Sequence, residues 1–145
     1  MDISVETVLR RKGREVFSVA PDCTVYDALK VLAEKNIGAL LVFESERLVG
    51  IFSERDYARK VILKGKHSRE TAVREIMTEK VITVDTGEDI GNCMDPMTGN
   101  HIRHLPVLKD GAIAGVISIG DIVKAIISEQ ESTIKDLEKY IVGGR

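Results

Sequence analysis

The chain repeats itself, and the repeat constrains its fold more than anything else in it. Gly50-Ile51-Phe52-Ser53-Glu54-Arg55-Asp56 returns as Gly115-Val116-Ile117-Ser118-Ile119-Gly120-Asp121, 65 residues later. The same offset aligns residues 17–62 with 82–127 without a gap, and eight of the 46 pairs are identical. They include Val19/Val84, Leu40/Leu105, Val42/Val107, Gly50/Gly115, Ser53/Ser118 and Asp56/Asp121. Other apolar positions face apolar ones, as in Leu29/Met94 and Phe52/Ile117. A unit this short buries too little surface to stand alone, so the two copies are expected to pack sheet against sheet around one core.

Each copy reads as β-α-β-β-α. A short β run comes first, Phe17–Val19 or Ile82–Val84. A helix follows; in copy one Thr24 and Asp27 have capping-box spacing, and Val25, Ala28, Leu29 and Leu32 recur at helical spacing. Two strands come next, Ala39–Phe43 then Leu48–Phe52, or His104–Leu108 then Ala112–Ile117. Asp110-Gly111 is a hairpin signal between the second pair. A last helix opens on Ser53 or Ser118 as N-cap. Pro106 within a strand suits an edge or a strand start. Val73–Met77 resembles Val5–Leu9, a short helical lead before each copy. The expected organisation is repeat one at 5–63, a linker at 64–72, repeat two at 73–128 and a helical tail at 129–145. In that tail Ile134, Leu137 and Ile141 mark an amphipathic helix, Ser132–Val142, that must dock on something. The fold class is α/β (α+β), two pseudosymmetric repeats plus a C-terminal helix.

Composition narrows function. Twenty-one Lys and Arg against 23 Asp and Glu leave a net charge of −2, without the basic excess of a nucleic-acid binder. The run Arg10-Arg11-Lys12-Gly13-Arg14 reads as a solvated segment. Apolar runs such as Ala39–Phe43 are far short of the ~20 residues a membrane helix needs. Met1-Asp2-Ile3-Ser4 does not resemble a signal peptide, so the cytoplasm is the expected location. Cys23 and Cys93 form no CxxC pair and read as buried free thiols.

The chemistry concentrates in Gly-x-x-Ser-x-x-Asp, a strand running into a helix. A glycine lets another group approach closely. The helix start offers free N–H groups to an anion. Ser53 and Ser118 can cap or donate to a phosphate, and Asp56 and Asp121 can accept from a ribose diol. Ser as N-cap with Asp in the first turn is also ordinary helix punctuation. Phosphate plus ribose suggests a nucleotide.

With these residues in view, the tandem resembles a pair of cystathionine-β-synthase (CBS) domains, a Bateman module, over Val5 to Ile127. The likeness rests on the β-α-β-β-α unit, the doubled signature, and Ile102-Arg103-His104-Leu105-Pro106-Val107. Ser53-Glu54-Arg55-Asp56-Tyr57-Ala58-Arg59-Lys60 and Glu129-Gln130-Glu131 resemble the small stand-alone bacterial type. The resemblance implies two clefts between repeats that bind adenosine compounds: AMP, ADP, ATP, NAD or S-adenosylmethionine. It implies ribose binding by Asp56 and Asp121 and phosphate contacts from Ser53 and Ser118, with Gly120 also among the expected ligand-binding residues. Backbone around Val19-Ala20, Val84-Asp85, Gly38-Ala39 and Arg103-His104, with Pro106 beside it, would read adenine. Arg103 and His104 replace Gly38 and Ala39 in copy two, so a cleft of Asp56, Arg103 and His104, helped by Arg55, is expected to prefer phosphorylated ligands.

The expected function is an adenine-nucleotide sensor without catalysis, regulatory and homodimeric. The alternative is a ligand-free module that regulates a partner enzyme or transporter by contact. No metal is expected: His101, His104 and Asp95 lack an established ligand spacing. Neither a nucleophile elbow nor a Rossmann or Walker glycine pattern occurs. Gly91, Pro96 and Gly99 fall in the first helix of copy two, which is expected to be short and bent.

Overall fold

The computed structural model describes residues 2–143. Met1, and residues 144 and 145 of the expected tail, lie outside that range. The chain divides into two compact units. One is Glu15–Ile82; the other joins the segment ending at Arg14 to the segment beginning at Thr83. The elements are α1 (Val5–Lys12), β1 (Ser18–Val19), α2 (Val25–Lys35), β2 (Ala39–Glu44), β3 (Arg47–Ser53) and α3 (Glu54–Tyr57), then β4 (Val84–Asp85), α4 (Ile90–Gly99), β5 (His104–Lys109), β6 (Ala112–Ser118) and α5 (Ile119–Gly143).

In the Glu15–Ile82 unit the sheet order is β1-β2-β3. β1 runs parallel to β2, with α2 as the crossover, and β3 returns antiparallel. Leu40, Leu41 and Val42 are buried in the central strand. The core gathers Val25, Ala28 and Leu32 of α2, Leu40 and Val42 of β2, Phe52, Val61, Val73 and Ile76. The α2 apolar spacing read from the sequence is therefore the face it buries. Thr24 caps α2, its hydroxyl accepting from the Asp27 N–H at 3.1 Å. Asn36, at φ 53°, ends it in the left-handed conformation.

The other unit repeats this plan with sheet order β4-β5-β6. The pairing Ala39↔Ser53 corresponds to His104↔Ser118, and a bulge after Val42 corresponds to one after Val107. Asp110 and Gly111, both at positive φ, turn the second hairpin. Pro106 differs from expectation: it is buried in the central strand, not at an edge or strand start. Its counterpart Leu41 donates its N–H to the Phe17 carbonyl at 3.1 Å and pairs with Ser18. Proline has no N–H to give. That rung is missing in copy two, where β4 pairing begins one step later, at Val84↔Val107.

Each copy is completed by the lead segment that precedes the other in sequence. α1 lies against β6 and α5. The Val5 and Glu6 N–H groups donate to the Glu88 and Thr86 carbonyls. In the Glu15–Ile82 unit a 3-10 turn, Val73–Glu75, plays the same part: the Val73 N–H donates to the Cys23 carbonyl and Thr78 bridges Ile51. The plan shared by the two copies also explains two glycines. A Cβ at Gly50 would stand 2.6 Å from the Met77 sulfur, and one at Gly115 would stand 2.7 Å from a Leu9 methyl. The close approach expected at these glycines is made by the chain's own lead segments.

The last helices differ. α3 lasts four residues and passes into a π-helical turn, Ala58–Ile62. α5 runs unbroken for 25 residues, so the expected separate tail helix is its continuation. α4 also runs through Pro96 as one ten-residue helix.

Candidate functional site

The Glu15–Ile82 corner is closed on itself. Ser53 caps α3: its hydroxyl accepts from the Asp56 N–H at 3.2 Å, and Asp56 answers through a reciprocal bond from the Ser53 N–H at 3.0 Å. The Ser53 hydroxyl also donates to Asp56 Oδ2 at 3.0 Å. On Oδ1, Asp56 accepts from the Thr78 hydroxyl at 3.1 Å and pairs with Lys60 Nζ at 3.0 Å. Each carboxylate oxygen thus has two donors, and the residue is 6% exposed. The Ser53 cap, Thr78 and Lys60 together occupy the Asp56 carboxylate.

The second corner is open. The Ser118 N–H donates to Asp121 Oδ2 at 2.8 Å, and the Asp121 N–H donates to the Ser118 hydroxyl at 3.1 Å. Position 125, the equivalent of Lys60, is alanine, so the i+4 cation is gone. Lys12 of α1 replaces it, donating to Asp121 Oδ2 at 2.7 Å and to the Val116 carbonyl at 2.8 Å. No hydrogen bond among the described residues engages Oδ1. Beside the pair lies a cavity of about 480 Å³ lined by Val8, Arg11, Lys12, Asp121, Lys124, Ala125 and Ser128. Lys12 pairs with the carboxylate, and Arg11 and Lys124 line the same cavity. Lys12 departs from the solvated reading of its basic run, whereas Arg10 and Arg14 pair with Glu6.

Titration follows from this packing. Burial pulls the Asp121 carboxyl upward, but the Lys12 and Ser118 hydrogen bonds outweigh it and leave the pKa below the usual carboxylate value. His104 heads β5, paired in register with Ser118. Burial, then the charge of Lys12, lowers its pKa; Asp121 opposes this, and Arg103 adds to it. The lowered group is a neutral imidazole at neutral pH. Burial pushes the Cys93 thiol up to about 11, with Glu88 and Asp89 adding to it, and the half-buried Cys23 thiol is also raised. Both cysteines are free thiols held protonated, not activated nucleophiles.

The remaining candidates divide between the units. Val19, Ala20, Gly38, Ala39, Ser53, Arg55 and Asp56 belong to Glu15–Ile82; Val84, Arg103, His104, Pro106, Ser118, Gly120 and Asp121 belong to the other. Arg55 and Arg103 are exposed. Gly38 and Arg103 carbonyls accept from Glu54 and Ile119 N–H groups, so each first-helix exit is tied to its corner. Sequence reasoning missed Lys12, Arg11 and Lys124. The available signal was the exchange of Lys60 for Ala125, which leaves Asp121 without its neighbour cation. Among the described residues no cluster of metal-binding side chains occurs, and no helix is long and apolar enough to cross a membrane.

Two β-α-β-β-α units, each with a Ser-capped, Asp-bearing corner, define a paired-repeat module. The chain belongs to the CBS domain family, whose sequence profile matches residues 5–63 and 73–128. It is 41% identical over 150 aligned residues to the mitochondrial CBS domain-containing protein CBSX3 of Arabidopsis thaliana, covering 97% of this chain and 73% of that one. A solved CBS-domain protein from Burkholderia ambifaria MC40-6 is 47% identical, with a TM-score of 0.86, over 88% of this chain and 96% of that one. The CBS domain pair of protein MJ0100, solved with 5-methylthioadenosine and S-adenosyl-L-methionine, is 25% identical, with a TM-score of 0.75, over 88% of this chain and 98% of that one.

Proposed function

We propose that this CBS pair is a regulatory module that binds an adenosine ligand carrying an anionic group, at the Asp121 corner. The observation that carries the reading is the uncommitted Oδ1 of Asp121 beside a cavity lined by Arg11, Lys12 and Lys124. A carboxylate oxygen with free lone pairs accepts the two hydroxyls of a ribose. Charge-assisted bonds from lysine and arginine suit a phosphate. The volume falls within the usual range for a small-molecule site. The adenosine compounds held by the MJ0100 pair support the ligand class. AMP, ADP, ATP and NAD fit this chemistry. Ser118 and Asp121 keep their capping roles, while Lys12 turns from Asp121 toward the ligand. The saturated Asp56 corner binds more weakly or only after rearrangement. No catalytic step is assigned; ligand acts by favouring one conformation of α1 against α5.

The test is thermal unfolding and calorimetry with AMP, ATP, NAD and S-adenosylmethionine in turn. Ligand at about 100 times its Kd adds about 2.7 kcal/mol. Lys12→Met is expected to weaken phosphorylated ligands by ~1.5–3 kcal/mol and adenosine itself far less. Absence of binding by every compound, or unchanged affinity in both Lys12→Met and Asp121→Asn, overturns the reading and leaves the contact-only module.

A further inference from the structure

We propose that the turn following α3, residues 59–66, docks this protein on the surface of a bilayer rich in anionic lipid. The net charge of −2 conceals a local concentration of cations. Residues 55–69 hold six of the 21 Lys and Arg but only one of the 23 Asp and Glu. Lys60 is engaged by Asp56. Arg55, Arg59, Lys64, Lys66 and Arg69 are all exposed, and among the described residues no ion pair engages them. Between them stand two bare aliphatic side chains, Ile62 at 54% exposure and Leu63 at 76%.

The turn is held from within. The Lys66 N–H donates to the Val61 carbonyl at 2.9 Å, and the Gly65 N–H to the Ile62 carbonyl at 3.1 Å, with Gly65 at φ 70°. These two bonds form a Schellman closure, in which the residue after the glycine is commonly apolar and folds back on the helix. Here that residue is an exposed lysine, and Leu63 in the same turn stays uncovered. The chain then returns to α2. The Tyr26 N–H donates to the Ser68 carbonyl at 3.0 Å, and the Arg69 guanidinium stacks 4.1 Å from the Tyr26 ring centroid. A surface ordered in advance loses little entropy on docking. The repeat shows that the fold does not require this chemistry. The 65-residue offset, carried past residue 62, sets Leu63, Lys64 and Lys66 against Ser128, Glu129 and Glu131. Copy two is polar and acidic where copy one is apolar and basic. Cations around exposed aliphatic groups match a bilayer: headgroup phosphates meet the charges, and Ile62 and Leu63 enter the acyl boundary. Each cation near an anionic leaflet multiplies binding about fivefold. A single-stranded nucleic acid is held by stacking on aromatic faces. The exposed apolar groups of this turn are aliphatic, and the Tyr26 ring beside it is already covered by Arg69.

The proposal is independent of the ligand reading. It is tested on the full chain by sedimentation with two sets of vesicles, phosphatidylcholine alone and phosphatidylcholine mixed with phosphatidylglycerol. The protein is expected to bind the mixed vesicles and not the neutral ones, and to bind less as salt rises from about 0.1 M toward about 1 M. Lys64→Gln with Lys66→Gln is expected to weaken binding about thirtyfold. Leu63→Ser, which installs the copy-two residue, weakens it about tenfold or more. These side chains are exposed, so the thermal transition stays that of the wild type. The chain has no tryptophan, so Leu63→Trp supplies a single reporter whose emission is expected to shift to the blue with mixed vesicles alone. No sedimentation with mixed vesicles, undiminished binding by the lysine variant, or unshifted emission from vesicle-bound Leu63→Trp protein overturns the proposal. Oligothymidylate bound as tightly as the mixed vesicles, with Leu63→Ser without effect on either, makes the surface a general polyanion patch and overturns the bilayer as its occupant.

Discussion

Leu9 is fully buried, and its methyl group sits where a side chain at residue 115 would begin. Because Leu9 is packed on every side, it cannot swing away without opening a void. Gly115→Ala is expected to destabilise the protein by about 1–3 kcal/mol, the usual cost of overpacking. Leu9→Ala also destabilises when made alone, through its cavity. Combined, the two changes should cost less than their sum, because each relieves the other. A urea-denaturation double-mutant cycle measures that coupling; strict additivity would remove the contact as the reason for the glycine. Gly50→Ala should also destabilise: the flexible Met77 can move aside, but the Thr78 carbonyl, 3.1 Å from the added Cβ, cannot do so without shifting backbone. The sequence made the need for space at both glycines legible, and the Ser–Asp caps as well. It did not show what fills the space or which cation meets Asp121. Lys12 and Asp121 are 109 residues apart, and no local pattern links them.

Pro96 lies inside α4, where it has no N–H for the Asn92 carbonyl. The glycines at 91 and 99 weaken the same helix further. α4 survives because Ile90, Cys93 and Met97 are buried at helical spacing. The Asn100 N–H and side-chain amide both donate to the Pro96 carbonyl, closing the last turn. Tertiary packing therefore overrides local preference, which is why the sequence read this helix as short and bent. Pro96→Ala should stabilise the protein by about 1–3 kcal/mol, since it restores one hydrogen bond and removes a ring clash. Hydrogen exchange should slow at the amides of residues 96–100. If those amides exchange at wild-type rates while the melting temperature is unchanged, α4 is not limited by its proline. The fusion of the tail with α5 was hidden for a different reason. Helical spacing was plain on both sides of Ser128, but polar residues between them carry no sign of continuity.

At the scale of the molecule, the repeat made the topology, register and paired corners legible from one alignment of the chain with itself. It left open that α1 completes the unit of copy two, because a helix's partner is set by contacts the repeat pattern does not encode. That long-range docking couples stability to pH. Folded His104 binds its proton more weakly than the unfolded chain does, because it is packed with Lys12 and Arg103 near it. Between the two pKa values the unfolded state holds more protons, so acid favours unfolding. The loss begins as pH falls below about 6.5, the unperturbed histidine value. It is complete once His104 is protonated in both states. Folded Asp121 is lowered as well, here because its charged form is favoured, and with the same outcome. Its carboxylate stabilises the fold above its unfolded pKa, near 3.8, and that contribution is lost as pH falls through the lower folded value. Two acid steps are expected, the first from the imidazole and the second from the carboxyl. His104→Gln should flatten the first and spare the second. Asp121→Asn should flatten the second, and it should also deepen the first, because losing the carboxylate that opposes the lowering of the His104 pKa lowers it further. Urea midpoints measured from about pH 7.5 to about pH 3 give both steps. If the His104→Gln profile superimposes on the wild type between about pH 6.5 and 5, the imidazole does not sense the α1–α5 corner.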